Sequence, residues 1–193
     1  LKKIVVLTLI LFLIVLILAC SSGIYSGSPK RGTVADGVYT NDYFKLSFTI
    51  PEKWGVYSDE EVYKNFNISL PTDEDLTNSK TGFTDVCFYK TVDQKNRISI
   101  TYSYETEGNI TDEQIKNRLS AKTSEVTFRD IEYIKIGDAD YAMISGLSSD
   151  GTLSYYYLWD LEVCGNLRPT ISIHLDSGDS INDILKNFTQ AID

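Results

Sequence analysis

The residues best suited to chemistry sit at alternate positions of two short stretches. Ser99, Thr101 and Ser103 alternate with Ile98, Ile100, Tyr102 and Tyr104, while Thr170, Ser172 and His174 alternate with Ile171, Ile173 and Leu175. Successive side chains of a strand point to opposite faces, so each stretch predicts one apolar and one polar face. Brought side by side and joined by Tyr156, the polar residues would form a surface able to hydrogen-bond a sugar or a peptide. If a neutral His174 accepts one of those bonds, binding should weaken as pH falls through about 6.5. The competing expectation is a face covered by a thin helix, or simply wet.

His174 is the only histidine, so it alone could supply the base for a serine nucleophile. No Gly-x-Ser-x-Gly elbow precedes a helix, and Ser148-Ser149-Asp150-Gly151 reads as a hairpin turn. Zinc could be asked of Cys87, Cys164 and His174, but neither Cys-x-x-Cys nor His-x-x-x-His spacing supports it. Asp73, Glu74 and Asp75, or Asp176 and Asp179, lack the spacing of a calcium loop. The first group reads as a solvated loop and Asp179 as a helix cap. No metal and no cofactor are expected. Cys87 and Cys164 would close a long loop if they paired as a disulfide; otherwise they are two buried thiols behaving as small hydrophobes.

These residues must be carried by a sheet. Phe44, Leu46, Phe48 and Ile50 alternate with polar neighbours after an Asn41-Asp42 turn, which predicts a hairpin that Pro51 terminates. Trp54 would plug one end of the core. Strands are expected at about Thr84–Thr91, Arg97–Tyr104, Ile131–Ile136, Tyr141–Ser145, Leu153–Cys164 and Thr170–Leu175. Ser58-Asp59-Glu60-Glu61 and Thr111-Asp112-Glu113-Gln114 are capping boxes that open helices. A long polar loop is expected from Pro71 to Phe83. The spacing of Ile181, Ile184, Leu185, Phe188, Ala191 and Ile192 predicts a closing helix. The class is α+β, an antiparallel sheet with helices packed on it.

The first residues place the protein. Lys2 and Lys3 precede an apolar run from Ile4 to Leu18, broken only by Thr8 and closed by Ala19-Cys20. That is the order of a secretory signal peptide, and the run is short for a spanning helix, which needs about 20 apolar residues. An uncleaved anchor is the alternative. Residues 1–19 are thus expected to be a leader, 20–36 a Gly, Ser and Pro-punctuated tether, and 37–193 the folded domain. Net charge is −9, which argues against nucleic acid as a partner and against electrostatic adhesion to anionic lipid.

Ile17-Leu18-Ala19-Cys20 resembles the lipobox of bacterial lipoproteins. The resemblance implies that Cys20 is lipidated and holds the protein on the outer face of a bacterial cell membrane. Tyr43-Phe44-Lys45-Leu46-Ser47-Phe48-Thr49-Ile50-Pro51-Glu52-Lys53-Trp54 resembles the opening of PsbP/Mog1-like domains, with Lys53 where many members carry glycine. That resemblance covers about Gly37 to Asp193. It implies an α/β/α sandwich and a binding or assembly role without catalysis, and it carries over no catalytic residue. The expected function is a lipid-anchored, extracytoplasmic binding or assembly module of the cell envelope. Its partner would be an envelope protein, peptide or glycan. The alternative is a small His-dependent hydrolase acting on envelope polymers.

Overall fold

The computed structural model describes residues 28–193 apart from 79, 94, 106–107, 109, 121–124, 163–165, 177 and 192–193. The expected leader, Cys20 and Cys164 lie outside the described residues.

Two antiparallel sheets share one core. The smaller joins β1 (Thr33–Ala35), β2 (Val38–Asn41), β3 (Leu46–Thr49) and β11 (Phe188–Gln190) in the order β1-β2-β3-β11. The larger joins β4 (Trp54–Val56), β5 (Phe83–Lys90), β6 (Arg97–Tyr104), β7 (Val126–Ile136), β8 (Ala139–Ser148), β9 (Leu153–Asp160) and β10 (Leu167–Asp176). Its order is β4-β5-β6-β10-β9-β8-β7, so β6 and β10 lie inside it. Tyr39, Leu46, Phe48 and Phe188 of the small sheet pack against Phe88, Ile98, Ile100, Ile171 and Ile173 of the large one. The apolar half of each alternating stretch is thereby buried between the sheets.

The helices are α1 (Asp59–Phe66), α2 (Asp73–Asn78), α3 (Asp112–Ser120) and α4 (Ile181–Leu185). Both capping boxes are present. Glu61 N donates to Ser58 Oγ and Ser58 N to the Glu61 carboxylate; Gln114 N donates to Thr111 Oγ1 and Thr111 N to Gln114 Oε1. Val62 and Phe66 of α1 cover Tyr57, Cys87 and Tyr89 on the outer face of the large sheet. Ile115 and Leu119 of α3 cover Ala142, Ile144 and Trp159 further along that face. Among the described residues no helix is long and apolar enough to cross a membrane.

Four expectations change. Helices α1 and α3 lie on one face of the large sheet, but the opposite face carries a second sheet with α4 beside it, so the α/β/α sandwich is only partly matched. The polar stretch from Pro71 to Phe83 contains α2, which Thr72 opens by exchanging hydrogen bonds with Asp75. The closing helix stops at Leu185, and Phe188 belongs to β11, paired with Phe48 of β3. Asn187 Nδ2 donates to the Asp183 carbonyl there, satisfying a helix end and turning the chain into the strand.

Order also begins before Gly37. β1 pairs with β2 through the two-residue turn Asp36-Gly37, in which both φ angles are positive, at 50° and 76°. Asp-Gly suits that turn because glycine tolerates the left-handed backbone. The tether expected over 20–36 therefore overlaps the folded domain. Lys53, at the position where glycine was expected, is itself left-handed with φ of 70°. Its carbonyl accepts from Thr91 N and Thr91 Oγ1, which holds the turn despite the side chain.

Candidate functional site

The two polar half-strands do meet. In the β6–β10 register Thr101 stands opposite Thr170, Ser99 opposite Ser172, and Arg97 opposite His174. All project from the outer face of the large sheet, in the strip between the footprints of α1 and α3. Ser103 Oγ lies 3.4 Å from Thr170 Oγ1, and Thr101 Oγ1 donates to the Thr170 carbonyl at 3.4 Å. Thr170 is buried, whereas Ser99, Thr101, Ser103, Ser172 and His174 are half-buried. Thr101 and Ser103 line a cavity of about 510 Å³ with Ile68, Pro71, Thr81 and Thr84.

Tyr156 does not belong to this face. It pairs with Ile173 and packs into the core between the sheets. Its neighbours Tyr155 and Tyr157 pair with His174 and Ser172, so they are the aromatic residues of the polar strip. Tyr155 meets the His174 ring edge-on with centroids 4.7 Å apart, and Tyr157 lies parallel to Trp159 at 6.1 Å.

His174 is set by Arg97. Arg97 Nε donates to His174 Nδ1 at 2.9 Å, which leaves the ring proton on Nε2. Burial, with the Arg97 charge beside it, pulls the imidazole down from 6.5 to about 3. The ring is therefore neutral throughout the physiological range, and the expected loss of binding near pH 6.5 gives way to no titration there. A general base works best with its pKa near the working pH, so this histidine is poorly tuned to activate a serine.

Further polar networks lie near the ends of the large sheet. At one end Arg168, 0 % exposed, donates Nη1 to the Asp160 carbonyl and Nη2 to the Gly108 carbonyl. Arg118 of α3 grips Glu105 through both Nη groups at 2.6 and 2.8 Å. Burial pushes the Asp160 carboxyl up to about 6. On the opposite side of the sheet, beside α4, Asn96 Nδ2 donates to Asp179 at 2.9 Å, and Lys90 Nζ to the same carboxylate at 2.8 Å.

The other candidates dissolve. Cys87 is a free, buried thiol 3.4 Å from Ser99 Oγ, not half of a disulfide, and burial raises its pKa. The Asp75 carboxylate accepts from Thr72 N at the start of α2, and Asp179 is paired with Lys90. Among the described residues no three His, Cys, Asp or Glu side chains are grouped to hold a metal ion.

Sequence reasoning missed Arg97, Tyr155 and Tyr157. The signal for Arg97 was its period: it lies two residues before Ser99, on the same side of the strand.

Fold and strip together define an α+β protein of two antiparallel sheets with a polar outer strip. No protein-family model matches the chain, and no curated protein matches it. The fold resembles that of cyanobacterial PsbP (CyanoP) from Synechocystis in its solution structure. The two are 12% identical with a TM-score of 0.49, over 88% of this chain and 97% of that one. A crystal structure from Bacteroides thetaiotaomicron is 14% identical with a TM-score of 0.37, over 86% of this chain and 50% of that one. Both are distant likenesses of fold, and neither bears on what this chain binds.

Proposed function

We propose that this chain is a binding module held at the outer face of a bacterial membrane by a lipidated Cys20, its ligand docking on the polar strip of the large sheet. The observation that carries the binding reading is the convergence of Ser99, Thr101, Ser103, Ser172 and His174 on one face of two neighbouring inner strands. Core packing does not call for such a face. Half-buried hydroxyls beside a cavity are instead suited to a ligand that brings its own hydrogen-bonding groups.

Two experiments test the two halves of this reading. Cys20→Ser should abolish metabolic labelling with a fatty acid and leave uncleaved precursor; normal labelling of that variant would remove the anchor. For the strip, the Thr101→Val/Ser172→Val pair should lower binding to envelope glycans and peptides displayed on an array by at least about tenfold, the effect of one or two lost hydrogen bonds. Valine keeps the shape of threonine, and at both half-buried positions it suits a strand, so the variant should fold, as its thermal melt checks. Unchanged binding by the folded double variant would place the ligand elsewhere.

A further inference from the structure

Arg97 is a cation held in position with no carboxylate beside it among the described residues. It opens β6 on the polar face, is half-buried, and sits between Tyr89 of β5 and His174 of β10 in register. Two contacts orient its side chain. Nε donates to His174 Nδ1, and the guanidinium carbon stands 5.4 Å from the centre of the Phe66 ring. Neither partner carries negative charge. Among the described residues no carboxylate lies within 4.0 Å of Arg97 and its Nη groups donate no hydrogen bond. Acids outnumber bases 27 to 18 in this chain, so a cation kept apart from them is not explained by a shortage of carboxylates.

We infer that Arg97 is the anion-binding residue of the strip, and that its ligand is a carboxylate-bearing saccharide of the uronic-acid type. This rests on the binding-module reading and names its ligand class. With Nε committed to His174, the guanidinium presents its end-on fork, two parallel N–H donors that match the two oxygens of one carboxylate. A single cation balances a single carboxylate. The rest of the surroundings suits a sugar ring: Tyr155 and Tyr157 offer aromatic surface on β9, across β10 from Arg97, and Ser99 and Ser172 offer hydroxyls in the next row of the register. An extended peptide fits less well. It would bind by adding a strand to a sheet edge, whereas β6 and β10 are inner strands whose backbone groups are already paired.

The experiment titrates trimers of galacturonate, glucuronate and mannuronate, and their methyl esters, into the folded domain. The resonances of His174 report on the site directly, since it is the only histidine. At least one acidic trimer should bind and shift the His174 signals, and its methyl ester, which keeps the ring and loses the charge, should not. Arg97→Gln should weaken that trimer about ten- to a hundredfold, the effect of a lost charge-assisted hydrogen-bond pair. The ester comparison uses the native protein, so it stands whether or not the variant folds. The inference falls if no acidic trimer binds at millimolar concentration, or if acid and ester bind alike. It falls equally if a peptide with a free C-terminal carboxylate binds and the trimers do not. Loss of array binding in Thr101→Val/Ser172→Val alongside indifference to Arg97→Gln would retain the strip and overturn Arg97 alone.

Discussion

Asp85→Ala should lower the unfolding free energy by about 3–5 kcal/mol, the usual consequence of removing one partner from a buried charged network. The Asp85 side chain is fully buried. Its carboxylate accepts from Tyr39 Oη at 2.5 Å, from Asn41 Nδ2 at 3.1 Å and from Gly32 N at 3.0 Å, with Arg31 Nε 3.6 Å away. Burial, and then the Asp85 charge, holds the Tyr39 phenol well above its ordinary pKa, so it remains a donor. Alanine would leave the Gly32 amide and the Tyr39 phenol without this acceptor, although Tyr102 Oη stays 3.0 Å from the phenol. Each such orphaned group costs about 1–3 kcal/mol. Urea denaturation of wild type, Asp85→Ala and Tyr39→Phe measures this directly, and Tyr39→Phe should show a smaller loss. Equal midpoints for wild type and Asp85→Ala would mean that the network contributes no stability.

The same network shows where sequence reading ends. Asp85 lies in a strand expected at about Thr84–Thr91 and found at Phe83–Lys90, yet nothing in its period assigns it to the core. Thr84 pairs with Thr101 and Val86 with Ile100, so Asp85 is the extra residue of a bulge. A bulge changes the side of the sheet on which later residues fall, and no alternation count reveals where it occurs. Arg31 and Gly32 look like tether for a related reason. They owe their order to partners far along the chain, Gly32 to Asp85 and Arg31 to Asp59 and Asp85, and not to local propensity.

The polar strip was legible because alternation inside one strand is a local property. Once Ile98, Ile100, Ile171 and Ile173 are buried, their polar neighbours must face the other way. What alternation cannot supply is the register between strands. Placing Tyr156 rather than Tyr155 and Tyr157 on the strip is an error of one residue in the pairing of β9 with β10, and a slip of one residue reverses every side chain. Nothing local singles out Arg97, because a charged residue beside a turn usually faces water. Its significance comes from His174 and Phe66, which tertiary structure brings to it.

Phe188→Ala should cost about 3–5 kcal/mol, because the ring is 4 % exposed and its removal leaves a cavity between the sheets. The ring lies 4.4 Å from that of Phe48, which in turn meets Phe88 at 4.9 Å. Phe188 therefore links the last strand of the small sheet to the middle of the shared core. A helical reading of the closing segment gives the same expectation for this residue, since Ile184 and Phe188 are both inward at helical spacing. Thr189 and Gln190 separate the two readings. β11 pairs Thr189 with Ser47 and Gln190 with Leu46, so their amides belong to a sheet and not to a helix. Phe188→Leu should recover part of the loss by refilling the cavity, and a Phe48→Ala/Phe188→Ala pair should lose less than the sum of its parts, as contacting residues do. Chemical denaturation of wild type, Phe48→Ala, Phe188→Ala, Phe188→Leu and the double variant gives all the needed values. A strictly additive pair would mean that the two rings do not touch, and the docking of β11 on β3 would have to be redrawn.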